Sequence, residues 1–289
     1  MIHQFAEDSG NYPDLLRQTP DKPKKLFVKG NVEVLAQPSV AVVGTRNMTS
    51  YGKYATQQLV EGLVGSGFAI VSGLALGIDG EAHRTALACG GKTIAVLAHG
   101  LDRVFPVEHE GLAGDILSNG GALVSELPEG MGVQKFSFPR RNRIIAGLAM
   151  GVLITEAAHK SGAKITARLA AEYGRPVFAV AGPMTSQFSE GTKDLVNLGA
   201  KLVTTIEDML EELPMQISTK RTTKSSSPET FESELEHRLF IEVQKEQGQA
   251  TINMLAASVQ KDINDVQAAL LMLEMKGAIQ CVGNIYLVP

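Results

Sequence analysis

The sequence has little cysteine, no long apolar run and no leader segment. Its two cysteines, Cys89 and Cys281, are far apart and lack the spacing of a zinc cluster or a disulfide framework. No segment approaches the roughly 20 apolar residues of a membrane-spanning helix, and the N-terminus has no basic-then-apolar signal. We therefore expect a soluble, cytoplasmic protein that is not stapled by disulfides or zinc.

Common catalytic motifs are also absent, namely H-E-x-x-H, G-x-S-x-G and paired C-x-x-C. The segment Gly90-Gly91-Lys92-Thr93 resembles the end of a Walker A loop. However, Ala86 stands where that motif has its first glycine, and the segment leads from a predicted helix into a strand rather than the reverse. We predict no catalytic residue, no cofactor and no metal, and therefore a binding protein rather than an enzyme.

Charge is nearly balanced over the whole chain. The 289 residues include 27 Lys and Arg against 31 Asp and Glu, a formal net charge of −4. Because there is no basic body, any site for a polyanion has to be a local patch.

Between residues 39 and 213, short β-branched runs alternate with amphipathic segments. The predicted strands cover residues 40–43, 68–71, 93–97, 122–124, 152–155, 177–180 and 201–203. The predicted helices cover residues 50–65, 79–88, 108–119, 144–150, 163–173 and 192–198. Apolar strands that alternate with helices are typical of a parallel sheet covered on both faces. We predict a doubly wound α/β domain with a mostly parallel sheet and a ligand site at the carboxyl ends of its strands.

A second, smaller domain follows a polar segment. Residues 214–230 change character, and residues 220–228 within them are polar, basic and almost free of apolar side chains. We therefore predict a flexible linker over 214–230 whose Lys220, Arg221 and Lys224 are solvated or contact a phosphate backbone. Predicted helices at 235–247, 251–259 and 264–276 and a hairpin of 278–281 with 284–288 then follow. Three helices and a hairpin predict a winged-helix domain over residues 231–289, with residues 1–213 as the first domain.

The predicted winged-helix domain is acidic. Residues 231–289 carry eight Asp and Glu against four Lys and Arg, whereas the preceding part carries 23 of each. Its third helix, which often reads DNA in this fold, offers Lys276 beside Asp265 and Glu274. The charge therefore favours a protein partner for this domain and leaves polyanion binding to the α/β domain.

The densest cationic feature is the run from Phe138 to Arg143. Arg140, Arg141, Asn142 and Arg143 stand directly before an apolar segment where a helix is predicted to begin. Guanidinium donors and the positive end of a helix attract the same anions, so we predict a phosphate site here. A helix start cannot direct all three guanidinium groups into one pocket, and at least one arginine is expected to serve structure.

Two further strand ends lead into loops suited to an anion. The first predicted strand ends at Gly44-Thr45-Arg46, where glycine permits close backbone approach and Arg46 adds donors. The second ends at Ser72-Gly73, without the G-x-G-x-x-G spacing of a dinucleotide loop.

The loop after the fifth predicted strand is a third candidate. Ser161, the amides of Gly162 and Ala163, and Thr166 form a possible phosphate cradle at the start of a helix. The alternative is an ordinary helix cap by Ser161.

Three polar positions near these loops have open roles. Asp79 is expected to cap the helix that it precedes. His83, one turn into that helix, is either a packing residue or a ligand-facing one. Ser125-Glu126 lines the site or forms a simple turn.

Taken in order, these loops resemble the DNA-processing protein A family (DprA, also called Smf). The resemblance covers nearly the whole predicted α/β domain, and the combination is far more specific than any single member. The matching residues are Val43-Gly44-Thr45-Arg46, Tyr51-Gly52, Ser72-Gly73-Leu74-Ala75, Gly77-Ile78-Asp79, Ala82-His83, Val124-Ser125-Glu126, the run from Phe138 to Leu148, Glu156-Ala157, Ser161-Gly162, Thr166-Ala167 and Gly174-Arg175. Tyr12-Pro13 and residues 26–30 are similar to the family's lead-in.

The resemblance implies an extended Rossmann-like domain that dimerises, binds single-stranded DNA, protects it from nucleases and helps to load the RecA recombinase in natural transformation. It implies that Arg46 and the Arg140, Arg141 and Arg143 group line a basic pocket for phosphates. Ser161, Gly162 and Thr166 would add donors. Phe138 would stack on a base or be buried before Pro139.

The sequence departs from the family in one respect and leaves two rival functions open. It begins close to the α/β domain, with no room for the small helical domain that precedes it in many members. One rival is a nucleotide-processing enzyme of the lysine-decarboxylase-like (LOG) group, but that family's P-G-G-x-G-T-x-x-E motif is replaced here by residues 156–162. The other is a nucleotide-sensing module that signals through the winged helix.

Overall fold

The chain forms two compact units, each with its own hydrophobic core. The computed structural model describes residues 1–134, 136–213, 233–245, 250–275, 278–282 and 285–287. The units are Met1–Met215 and Gln216–Pro289. The predicted linker at 214–230 lies outside the described residues, as do Lys276 and the predicted hairpin turn at Gly283.

The first unit is built on one large sheet. Its strands are β1 (Ile2–Ala6), β2 (Lys25–Gly30), β3 (Ser39–Val43), β4 (Ala69–Ser72), β5 (Thr93–Leu97), β6 (Ala122–Ser125), β7 (Val152–Ile154), β8 (Val177–Val180) and β9 (Lys201–Val203). In the described part of the chain they form a nine-stranded sheet of order β1-β2-β6-β5-β4-β3-β7-β8-β9. Strands β3 to β9 are all parallel to one another, so the predicted doubly wound, mostly parallel sheet is confirmed.

Strands β1 and β2 are absent from the sequence prediction, which treats the first 38 residues as a lead-in. They pair with each other in antiparallel fashion, and β2 continues the sheet antiparallel to β6 with Val28 opposite Val124. The sequence of this segment shows no regular alternation of strand and helix patterns that would predict its strands. It joins the main sheet only through the pairing of β2 with β6.

Helices cover both faces of this sheet, as expected for strands that are buried throughout. They are α1 (Asp14–Arg17), α2 (Ser50–Gly65), α3 (Ile78–Ala88), α4 (Glu110–Ser118), α5 (Ser137–Leu148), α6 (Ala163–Glu172), α7 (Glu190–Asn197) and α8 (Ile206–Leu210). All five residues of the central strand β3 are buried, which is the burial that an apolar strand requires.

The prediction that α5 begins at Ile144 is wrong, because the helix begins at Ser137. Pro139 is tolerated there since the amide groups of a first turn have no intrahelical partner. The three arginines therefore lie within the first two turns of α5 rather than before it. Successive helical residues are rotated by about 100°, so these side chains leave the helix in different directions.

Strand order creates a crevice beside β3. The chain moves outwards from β3 through β4, β5 and β6, then returns to the other side of β3 as β7. Such a switch point leaves an open space at the carboxyl ends of the two diverging strands.

Glu156, directly after β7, ties the two sides of this crevice together. Its backbone oxygen accepts from the Thr45 amide at 2.8 Å, and its carboxylate accepts from the Thr49 amide at 3.0 Å and the Thr49 hydroxyl at 2.5 Å. Thr49 in turn accepts from the Gly52 amide at 3.1 Å and so caps α2. The start of α2 is thus fixed by a residue more than 100 positions away.

The second unit contains α9 (Glu234–Lys245), α10 (Ile252–Val259) and α11 (Ile263–Met275), with the strands β10 (Ala250–Thr251), β11 (Gln280–Val282) and β12 (Ile285–Leu287). Strands β11 and β12 are antiparallel, with Val282 opposite Ile285, and β10 joins the other side of β12. Leu239, Leu255 and Leu270 are buried in its core. Three helices and a hairpin form the predicted winged-helix arrangement.

Within the described ranges, no helix combines the length and the apolar composition that crossing a membrane requires. The same residues contain no group of three or more His, Cys, Asp or Glu that could hold a metal ion.

We expect Gly52→Ala to destabilise the first unit. A Cβ at Gly52 would lie 2.1 Å from the Glu156 carboxylate, so the buried carboxylate would have to move away from Thr49. Overpacking of this kind costs about 1–3 kcal/mol. The matched control is Gly65→Ala in the same helix, where the new methyl meets nothing within 4 Å and stability should hold or rise. Urea unfolding of both variants measures the difference, and equal stability would contradict the role given to Glu156.

Candidate anion-binding cleft

A cleft of about 370 Å³ lies at the carboxyl ends of β3 and β7, as the strand order predicts. It is formed by the β3–α2 loop, the first turns of α5 and the β7–α6 loop. The predicted site residues that line it are Gly44, Thr45, Arg46, Phe138, Arg141, Asn142, Ser161, Gly162 and Thr166. The structure therefore brings three separately predicted loops to one place.

The β3–α2 loop is a rigid wall of the cleft. A Cβ on Gly44 would lie 2.6 Å from the Ile78 side chain, so only glycine lets the loop pack against α3. The backbone oxygen of Thr45 accepts from the Ile78 amide at 3.2 Å. This rigid backbone presents an exposed Arg46, which forms no ion pair with the described residues.

Arg46 lies over an aromatic ring. Its guanidinium carbon is 5.3 Å from the centroid of Phe138, within the range of a cation–π contact. Phe138 is half-buried on α5, and its centroid lies 6.2 Å from that of Phe105. The sequence left stacking and burial open for Phe138, and the structure leaves part of its ring accessible at the cleft.

The opposite wall is the β7–α6 loop. The hydroxyl of Ser161 accepts from the Ala163 amide at 3.2 Å. Because the N-cap residue of α6 is Gly162, this bond stabilises the turn before the helix and is not the ordinary cap that the sequence offered as an alternative. Asn142 donates to the Gly162 oxygen at 3.3 Å and so links α5 to this loop. Thr166 is 1% exposed, at the bottom of the wall.

Sequence reasoning missed Lys160 as a site residue, although it directly precedes Ser161. It is exposed, lines the cleft and has no ion pair with any described residue. The signal that could have identified Lys160 is its position in the loop after β7, beside the predicted site residue Ser161. The wall that was predicted to supply neutral donors also supplies a cation.

Arg141 lies in the floor of the cleft, where its guanidinium is bonded within the domain, and its role as a phosphate ligand stays a prediction. Its side chain is buried and donates to the backbone oxygens of Gly73, at 2.7 Å, and Val96. These carbonyls follow β4 and belong to β5, so one guanidinium clamps two neighbouring strands to α5.

Burial affects the ionisation of this floor. It lowers the pKa of the Arg141 guanidinium to about 10, against the opposing charge of Asp79, so Arg141 stays protonated at neutral pH. Burial likewise raises the pKa of Asp79, while Arg141 and the Gly73 amide, which donates to its carboxylate at 3.1 Å, act in the other direction. The carboxylate holds the loop that precedes α3. The expectation that Asp79 caps this helix is wrong, because Asp79 lies within its first turn and the N-cap residue is Gly77.

Arg140 and Arg143 point away from the cleft and share one carboxylate. The Glu126 Oε1 atom accepts from Arg140 at 2.8 Å and from Arg143 at 2.5 Å. Arg143 also donates to the Asp21 backbone oxygen at 2.5 Å and is 9% exposed, so its role is to join β6, α5 and the N-terminal segment. The Arg140 side chain is 55% exposed and keeps part of its surface for a partner.

Ser72 and Gly73 lie under the cleft rather than in its wall. The buried Ser72 hydroxyl donates to the Val42 oxygen at 2.6 Å, which leaves it unable to reach a ligand. A Cβ on Gly73 would lie 2.5 Å from the Arg141 guanidinium, so this glycine makes room for the clamp. Both residues support the site through Arg141 and the sheet.

His83 is fully buried, which decides between the two roles left open by the sequence. Its Nδ1 atom is 2.6 Å from the Thr93 hydroxyl. Because Thr93 donates its own proton to the Ile70 oxygen, His83 must be the donor in this pair. Burial, above all, lowers the pKa of His83 to about 3, so it is a neutral packing residue.

Together the fold and the cleft define a Rossmann-like α/β protein with cations and an aromatic ring at the switch point of its sheet. The chain belongs to the DNA recombination-mediator protein A family, whose model matches residues 4–214. The family resemblance in the sequence is therefore confirmed.

Relatives with known names support this membership. Protein Smf of Escherichia coli K12 is 47% identical over 211 residues, which cover 73% of this chain and 56% of that protein. DNA processing protein DprA of Bacillus subtilis is 42% identical over 74% of this chain and 72% of its own length. The chain thus spans little more than half of the Escherichia coli relative.

Two solved structures share the fold. DNA processing protein A of Streptococcus pneumoniae superposes with a TM-score of 0.70 at 42% identity, covering 74% of this chain and 75% of that one. The Helicobacter pylori protein, whose structure concerns its single-stranded DNA binding mode, gives a TM-score of 0.66 at 33% identity over 73% and 94% of the chains.

We predict very different effects on stability for substitutions of two cleft arginines. Arg141→Ala removes a buried clamp and leaves two carbonyls and Asp79 without their cation, so unfolding should become easier by about 3–5 kcal/mol. Arg46→Ala removes an exposed side chain and should change the free energy of unfolding by less than about 0.5 kcal/mol. Guanidinium chloride titrations followed by circular dichroism measure both. A stable Arg141→Ala protein would contradict its structural role.

His83 should make folding stability fall in acid. Between pH 6.5, its ordinary pKa, and its folded pKa of about 3, the unfolded chain binds a proton that the folded chain does not. The free energy of unfolding therefore drops by up to about 1.4 kcal/mol per pH unit from this residue as pH falls. His83→Asn should reduce that slope between pH 6 and 4.5, whatever its effect at pH 7. The raised pKa of Asp79 has the opposite effect, since it favours the folded state as pH falls. Because Asp79 is present in both the wild type and the variant, it does not account for a difference between their slopes.

Proposed function

We propose that the first unit binds single-stranded DNA in the cleft, and that the chain acts as a recombination mediator that protects incoming DNA and helps to load RecA in natural transformation. Family membership and the DNA-processing relatives support this function. The observation that carries the assignment to this cleft is that Arg46 and Lys160 line it from two different loops, with the Phe138 ring beside Arg46.

The charge pattern favours a strand over a single nucleotide. Arg46 and Lys160 lie on different walls, so one chain of phosphates can pass both cations. The loops between them supply backbone donors but no charged clamp for a single terminal phosphate. An aromatic face beside the cations suits the alternation of phosphate and base in a single strand.

The other arginines explain why the site works within a nearly neutral domain. Glu126 neutralises Arg143 and part of Arg140, and Asp79 lies near the buried Arg141. Two cations remain unpaired at the cleft in the described part of the chain. The phosphate-dependent part of binding should therefore be modest, with aromatic stacking adding to it.

No feature of the site favours the nucleotide-processing alternative. The segment after β7 lacks the glycine-rich acidic motif of the LOG group, and its Glu156 is buried and bonded to Thr49. We propose a non-enzymatic function, with homodimerisation and a RecA contact as further parts of it. The acidic second unit is proposed to bind protein. Sedimentation analysis and RecA filament assembly on oligonucleotides test the dimer and the recombinase contact.

Arg46→Ala and Lys160→Ala should each weaken binding of oligo-dT and make it less sensitive to salt. Every phosphate contact that is lost should reduce the slope of log K against log salt by about 0.7, the value for single strands. Fluorescence anisotropy at several salt concentrations measures affinity and slope together.

Lys92→Ala is the matched control for these substitutions. Lys92 directly precedes β5 and donates to the Asn119 oxygen at 2.7 Å. It therefore lies at the amino ends of the strands, whereas the cleft lies at their carboxyl ends. The Lys92→Ala variant should bind oligo-dT as the wild type does, with the same slope of log K against log salt. The proposal fails if the wild type ignores salt, or if all three variants lose affinity equally.

A further inference from the structure

An exposed apolar surface adjoins the cleft in the β5–α4 connection. Phe105 is 47% exposed and Val107 is 63% exposed, although both are large apolar side chains. The cleft does not need these residues for its own packing. Neighbouring exposed apolar side chains are typical of interaction surfaces.

Phe105, Phe138 and Arg46 form a row. The centroids of the two rings are 6.2 Å apart and the rings are inclined by 51°. The guanidinium carbon of Arg46 lies 5.3 Å from the centroid of the Phe138 ring. The row leads from the cation at the cleft outwards to the exposed ring.

The loop that carries Phe105 is held in place on both sides. The Asp102 carboxylate accepts from the Gly130 amide at 2.9 Å, and the His109 amide donates to the Pro106 oxygen at 3.1 Å. His109 is buried, and its Nδ1 atom lies 2.9 Å from the Leu74 oxygen. An aromatic ring on a fixed loop loses little conformational entropy when a ligand binds to it.

We infer that Phe105 is a second base-stacking platform, which extends the DNA site from the cleft across the β5–α4 connection. This inference rests on the proposed function of the cleft. Bases of any sequence stack on an aromatic face. The two rings are inclined by 51° to each other, so a single base cannot lie flat on both of them, and Phe105 would stack on a different base from Phe138.

The neighbouring charges favour nucleic acid as the occupant. A ligand that reaches Phe105 from the cleft passes Phe138 and the unpaired Arg46, and thus offers anionic and flat apolar groups in alternation. A single strand has this chemistry throughout its length.

The absence of tryptophan from the chain permits a direct test. Phe105→Trp places a sole indole at the proposed platform, and a stacked base should quench its fluorescence as oligo-dT is added. Leu198→Trp is the control, because Leu198 is 81% exposed and follows α7 at the opposite edge of the sheet. Its indole should stay bright at the same oligonucleotide saturation, measured independently by anisotropy.

Affinity gives a second, separate measurement. Phe105→Ala should bind oligo-dT at least about fivefold more weakly, as loss of one stacked base predicts. Phe105→Leu keeps an apolar side chain without the ring and should lose affinity to a similar degree. An abasic oligonucleotide of equal length retains the phosphates, and its binding should be the same for wild type and both variants. Thermal melting verifies that each variant is folded.

The outcomes separate the two hypotheses. If oligo-dT binds in an Arg46-dependent manner but leaves the Phe105→Trp fluorescence unchanged, the platform is overturned and the cleft assignment stands. Equal loss of oligo-dT and abasic binding in Phe105→Ala would also overturn it, since the ring would then act through the loop and not through a base. Failure of the wild type to bind oligo-dT overturns both.

Discussion

The cleft depends on one buried guanidinium. Arg141 donates to carbonyls of Gly73 and Val96 and thereby fixes the start of α5 against the ends of β4 and β5. Leaving those carbonyls or Asp79 unpaired in the interior would cost several kcal/mol, so the three elements are held in one arrangement. Phe138 and Asn142, which α5 presents to the cleft, owe their positions to this buried residue.

A second constraint acts on the other side of β3. Glu156 holds the cap of α2 through Thr49, which fixes the loop that presents Arg46. The groups that define the walls of the cleft are thus largely buried, whereas the groups available to a ligand are few and exposed. This division explains how a nearly neutral domain offers a cationic site. Carboxylates offset the charges of the structural arginines, whereas the charges of Arg46 and Lys160 are not offset by an ion pair with a described residue.

Much of the fold could be predicted from sequence because each central strand is an apolar run bounded by helices, and parallel strands place their following loops at one edge. The start of α5 could not be placed, since Pro139 among polar residues looks like a boundary, although a first helical turn accepts proline. Strands β1 and β2 were beyond prediction for another reason. Their two-stranded ribbon joins the rest of the sheet through β6, which is distant in the sequence and is met only after the chain has folded.

The sequence by itself determined the α/β class, the family and the three loops that meet at the cleft, because those depend on local periodicity and on residues fixed along the chain. Only the tertiary structure decided which groups each arginine of α5 contacts. Arg140, Arg141 and Arg143 are nearly equivalent in sequence, yet one is half-exposed, one clamps the sheet and one binds the N-terminal segment. The physical reason is helical rotation: side chains a few positions apart point in different directions, and their roles follow from what each one meets.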